Sequence, residues 1–242
     1  MRSGARHMRP ESERGSAMFR DALLIAGKDL RIEARSRVVA SQVLPFAILA
    51  LVLFAFALDA DRAALRDFSP GLFWVAVLFA GLLAIQRTTN LEHDDSTIDA
   101  LRLSAIEPSS IFAGKTLAIT AQLLALEVLL VVGIVVFYAA EFDSLADAAL
   151  LGVTSFVSAV GVAAAGTLYG ALTAGIRGRE TLLPILLLPV LAPVLIGATR
   201  AFDDALGSAA VNGWAWLSLL GLFAVVYLVF GLLAYGILLE ES

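Results

Sequence analysis

Six apolar runs, each long enough to cross a bilayer, constrain this chain more than any other feature of it. They are Val38–Leu58, about Phe68–Gln86, Leu117–Ala140, about Ala148–Ile176, Leu182–Ala198 and Trp214–Leu239, and only the third contains a charged residue. A helix needs roughly 20 such residues to span a hydrocarbon core. Buried core helices of a soluble protein would be the alternative for any one run. Six of them in 242 residues leave too little polar sequence to cover such a core, since 60% of the chain is apolar and 16% charged. The expected fold class is therefore all-α: a polytopic membrane protein with six transmembrane helices and an N-terminal amphipathic interfacial helix. The expected organisation is a disordered tail over 1–17, that amphipathic helix over 18–37, and a six-span unit over 38–242.

Charge sets the orientation. The segments before the first span, after the second and after the fourth hold 14 of the 17 Lys and Arg residues, and the other side of the membrane holds 3. The positive-inside rule then places both termini, the 87–116 loop and the 177–180 loop in the cytoplasm of a bacterial-type inner membrane. Phe68, Phe73 and Trp74 open the second span, and Trp214 and Trp216 open the sixth. Both clusters are expected at the outer interface, where aromatic belts lie. No apolar signal-peptide core occurs within the first 37 residues.

Several chemistries are disfavoured. The chain has no Cys and two His, so thiolate and multi-His metal centres have no ligands. A formal charge of −5 offers no basic surplus for nucleic acid. Gly114-Lys115-Thr116 lacks the Gly five residues upstream that a phosphate-binding loop requires, because position 109 is Ser. No ATP hydrolysis is expected from this chain, and Lys115 reads as a basic residue at the membrane surface.

In the amino-terminal segment, Phe19, Ala22, Leu23, Ala26, Leu30 and Ala34 recur at helical spacing among charged neighbours. That pattern suits a helix lying in the interface. The 87–116 loop is the polar connection with most content. Glu92, Asp94, Asp95 and Asp99 are acidic, and Ile98, Leu101 and Leu103 can line one face of a short helix that starts at Asp95-Ser96-Thr97. Pro108 is expected to end that helix, and Ser109 or Ser110 to cap the next. Such a helix either docks into a groove on a partner or lies on the bilayer.

Inside the membrane, Glu127 stands ten residues into the third run, with Gln122 five residues before it. A carboxylate there is costly, so it serves either a substrate or proton path or a satisfied interhelical hydrogen bond. Pro184, Pro189 and Pro193 kink the fifth span, as a gating element or simply as a bend. Gly166, Gly170 and Ala174 form a small-residue stripe for helix packing, within the chain or in a homodimer. Arg177, Arg179 and Glu180 make a tight charged turn.

The chain from Met18 to Glu241 resembles the CcmB (haem exporter protein B) family of cytochrome c biogenesis, six-span permeases of the type 2 ABC class. The resemblance rests on KDLRIEARSR at 28–37, FAFAL at 54–58, PGLFWVAVLFAGLL at 70–83 and AGK at 113–115. It continues in the Glu-bearing third span, GTLYGALTA at 166–174 and RGRETLLPILLLPVLAPVL at 177–195. The resemblance implies a permease subunit with no bound cofactor, haem as the substrate handled, and ATP on a separate cytoplasmic ABC ATPase. It also implies a haem-handling membrane partner, Glu92–Pro108 as the ATPase-coupling region and Met18–Arg37 as an elbow helix. An exporter of lipid, drug or glycan is the same-class alternative. A proton-coupled secondary transporter using Glu127, or a membrane scaffold, would be a different class. Six spans without paired broken helices argue against the secondary transporter.

Overall fold

A computed structural model describes residues 11–36, 41, 44–57, 61–94, 106–138, 144–173, 176 and 178–241. The described elements are all α-helices: α1 (Glu11–Ser36), α2 (Leu44–Ala57), α3 (Arg62–Asp94), α4 (Pro108–Tyr138), α5 (Leu145–Thr173), α6 (Arg179–Ala205) and α7 (Gly213–Glu241). Five of them, α3 to α7, are long and apolar enough to cross a membrane. The apolar α2, with 14 residues, rises about 21 Å, short of a hydrocarbon core of about 30 Å. Of the rest of the run Val38–Leu58, Ser41 alone is among the described residues.

The helix ends follow local chemistry. Asp61 precedes α3, and its carboxylate accepts from the Ala63 N–H at 3.1 Å. Ser144 and Asp147 pair across the first turn of α5, the Asp147 N–H donating to Ser144 Oγ at 3.2 Å and that hydroxyl donating to the Asp147 carboxylate at 2.7 Å. Asn212 Oδ1 accepts from the Ala215 N–H at the start of α7. Gly207, at φ 62°, closes α6: the Ser208 N–H bonds the Asp203 carbonyl and the Gly207 N–H the Asp204 carbonyl, the paired pattern of a Schellman cap.

Three boundaries differ from expectation. The helix expected from Met18 begins at Glu11, so residues 11–17 are helical rather than part of a tail. The polar connection expected over 87–116 is much shorter, because α3 continues to Asp94 and α4 starts at Pro108. Hydropathy registers bilayer thickness, whereas backbone hydrogen bonding carries these helices past it: 31 residues of α4 rise about 46 Å. Pro108 accordingly opens a helix, a position that needs no N–H. Ser109 and Ser110 then fall inside the first turn instead of capping it, and the Ser110 N–H bonds the Glu107 carbonyl.

α5 sits at the centre, packed on α3, α4, α6 and α7. Small residues predominate among those it buries, Gly161, Ala163, Ala164, Ala165, Gly166 and Gly170 among them, beside Leu150, Leu151, Val162 and Leu168. A Cβ on Gly166 would overlap Ile85 of α3, and one on Gly170 would stand 2.8 Å from Thr89 Oγ1. The small-residue stripe is thus consumed inside the chain at these two positions, which removes them from any dimer interface. Ala174 lies outside the described residues. Along α6, Leu183, Leu187, Leu191, Val194, Ala198 and Phe202 are buried, while Pro189 and Pro193 point outward. The helix runs uninterrupted through all three prolines.

Candidate functional site

The polar chemistry of the bundle gathers at three levels. At the end that carries α1, that helix lies on α4. Its buried residues are Ala22 and Ala26, with Ile25, Asp29 and Glu33 half-buried on the same face, while Phe19 and Leu23 remain exposed. The face against protein is therefore small and acidic, and the large apolar side chains expected with it turn outward. Glu33 forms an ion pair with Arg87 of α3, Nε to Oε2 at 3.0 Å, off the line of a hydrogen bond.

Lys115 is the main departure from the sequence reading. Expected at the membrane surface, it is 4% exposed. It lines a cavity of about 20 Å³ with Thr88, Thr89, Thr167 and Tyr235, about the room one water needs. Asp29 of α1 acts electrostatically on both Lys115 and Tyr235. Phe112, Lys115 and Ile119, all buried, share one helical face, which apolar neighbours on the other faces hide in the sequence. Phe112 in turn packs on Tyr235 of α7 with ring centroids 5.5 Å apart, over Gly231, where a Cβ would overlap the ring.

The residues expected to couple to an ATPase divide. Glu92 and Asp94 belong to the last turns of α3 and Pro108 begins α4. Asp95, Asp99, Leu101 and Leu103 lie outside the described residues, so α3 and α4 bracket the segment at one end of the bundle. Arg177 is also outside them. Arg179 and Glu180 open α6 immediately after Gly178, whose φ of 84° explains the glycine in this charged turn.

At mid-bundle Glu127 is 2% exposed, and both carboxylate oxygens lack a hydrogen-bond partner by distance and angle among the described residues. The Ser155 hydroxyl of α5 is the side chain that bears on it as a donor. Ser155 and its neighbours Thr154 and Ser158 are buried and equally short of partners. Gln122, one and a half turns earlier, is half-buried. Glu127 and Gln122 thus differ: one faces the helical interior, the other its margin.

At the far end, Phe73 and Trp74 are not belt residues. Both are essentially fully buried and pack on Phe202 of α6, Phe73 tilted and Trp74 edge-on, with centroids 4.9 and 5.1 Å away. α3 starts at Arg62, so positions 73 and 74 are already three turns inside it and turned toward α6. Phe68 and Trp214 are exposed and Trp216 is half-buried. No group of three His, Cys, Asp or Glu gathers as a metal site among the described residues.

Comparison with known proteins points one way. The family model described as CcmB protein matches residues 20–242. Heme exporter protein B of Haemophilus influenzae is 29% identical over 195 residues, 76% of this chain and 81% of the relative. The protein of that name in Pseudomonas aeruginosa is 28% identical over 224 residues, 87% and 94% of the two chains. Its counterpart in Escherichia coli K12 is 29% identical over 198 residues, covering 80% and 86%.

Proposed function

Because the chain belongs to the CcmB protein family, we propose that it is the membrane permease component of haem export for cytochrome c maturation. The observation that carries this reading is a family match running from within α1 through α7 on a bundle with five helices of spanning length. In that role haem is the substrate handled, and this chain's part is mechanical. ATP is hydrolysed on a separate cytoplasmic subunit, and a haem-handling membrane protein is the second partner. The sixth span is the run Val38–Leu58 around α2, both termini are cytoplasmic, and α1 is the elbow helix.

The coupling surface is the segment from Glu92 to Pro108, with the Arg177–Glu180 turn beside the ATPase on the same side of the membrane. Motion imposed on it passes directly into α3 and α4, which bracket it. Because α1 is tied to α3 by Arg87–Glu33 and packed on α4, the three helices respond together. α4 carries Glu127 to its seat against α5. Pro184, Pro189 and Pro193 each free a carbonyl in α6 and lower its resistance to bending.

Co-purification from the native membrane tests the assembly. The chain is expected to bring down an ABC ATPase, and Asp95→Lys with Asp99→Lys is expected to release the ATPase while leaving membrane insertion intact. Undiminished capture of the ATPase by that variant would place docking elsewhere. Loss of holocytochrome c on deletion of the gene tests the substrate, and export of an unrelated lipid or glycan would replace it.

A further inference from the structure

Between α3 and α6, at the end opposite α1, runs an open cleft of about 490 Å³. Its charged end carries Asp67, Arg200 and Asp203, and its apolar end Val75, Leu195 and Ile196. From Asp67 to Val75 is about 12 Å of helix rise, so polar and apolar ends succeed one another along the bundle axis. Phe68, Val75 and Ile196 are about half exposed at its margins, which opens the cleft sideways onto apolar surface. On the orientation read from the Lys and Arg distribution, the polar end lies at the outer interface.

Trp74 backs the cleft at 1% exposure, with its Nε1 enclosed by the bundle. Charge narrows the ligand. One guanidinium faces two carboxylates, and Asp203 is already held by Arg200 at 3.2 Å and by Ser208 Oγ at 3.1 Å. A purely anionic head would meet a net negative lining, whereas a head bearing both signs would not.

We propose that this cleft binds a zwitterionic aminophospholipid of the outer leaflet, with its phosphate on Arg200 and its ammonium on Asp67. The acyl chain follows Val75, Leu195 and Ile196 toward the bundle interior. The site is independent of the substrate reading above. It makes α6, the proline-bearing helix, lipid-stapled to α3 at one end.

Native mass spectrometry of the full-length chain tests this, after delipidation and exposure to equimolar dioleoyl-phosphatidylethanolamine and dioleoyl-phosphatidylglycerol. The wild-type chain is expected to retain the ethanolamine lipid by roughly tenfold over the glycerol lipid, the scale of one charge-assisted contact. Arg200→Gln should lose both lipids. Asp67→Asn, an exposed change that leaves packing untouched, should bring the two lipids to parity. Equal retention of the two lipids by the wild type, unchanged retention in Arg200→Gln or Asp67→Asn, or occupancy by added haem with no lipid adduct would each overturn the proposal.

Discussion

Gly114 of α4 lies so close to α1 that a Cβ on it would stand 2.7 Å from the Ala22 carbonyl oxygen and 2.8 Å from Ile25 Cβ. Both obstacles are backbone or near-backbone atoms, which cannot rotate aside. The contact is what lets an otherwise exposed, charged helix sit flush on the bundle. Gly114→Leu is therefore expected to lift α1, at a cost of about 1–3 kcal/mol typical of overpacking. Trypsin should then cut faster after Arg31 and Arg35 in membrane vesicles, and an unchanged digestion pattern would remove Gly114 from the docking of α1.

The Arg87–Glu33 pair should behave as a pair. Its side chains are 24% and 12% exposed, so screening lessens the interaction without abolishing it. Arg87→Glu and Glu33→Arg are each expected to destabilise by about 1–2 kcal/mol, and the double swap to recover about half of the combined loss. Thermal unfolding in detergent through the full double-mutant cycle measures this. Strict additivity would mean that the two residues act separately.

Tyr138 donates its hydroxyl to the Leu51 carbonyl of α2 at 2.8 Å, and both are buried. Removing that donor with Tyr138→Phe is expected to cost about 1 kcal/mol and to loosen α2. The lowered unfolding midpoint should come with faster hydrogen exchange confined to α2. A fall in midpoint without that local change would place the effect elsewhere.

Glu127→Gln preserves shape and one acceptor, and Gln can also donate to the Ser155 hydroxyl of α5. Export, measured as holocytochrome c formed, is expected to stay close to wild type, with Glu127→Leu the more damaging change because it leaves that hydroxyl facing hydrocarbon. A loss of roughly tenfold or more in Glu127→Gln would instead assign the carboxyl's charge or proton to transport.

Much of the architecture was legible because a bilayer imposes its thickness on any sequence that crosses it. Apolar runs locate α3 to α7 to within a few turns, and the motif stretches at 28–37 and 177–195 lead to the family. Orientation rested on Lys and Arg counts alone. Side-chain roles were far less legible. Lys115 was placed at the surface and Trp74 in an aromatic belt, yet both are buried: apolar neighbours on every side of a membrane helix erase the periodicity that tells an inner face from a lipid-facing one.

From its residues alone, then, the chain is committed to spanning helices, because its backbone has no other way to satisfy its polar groups in lipid. Tertiary structure decided which faces meet. Glycines at 114, 166, 170 and 231 permit approaches that only the neighbouring Ala22, Ile85, Thr89 and Phe112 make visible. Those contacts, between residues far apart along the chain, turn α1 onto α4, seat α5 on α3 and bury Lys115 beside Asp29. Helix pairing is a property of shape between segments, and no single segment contains it.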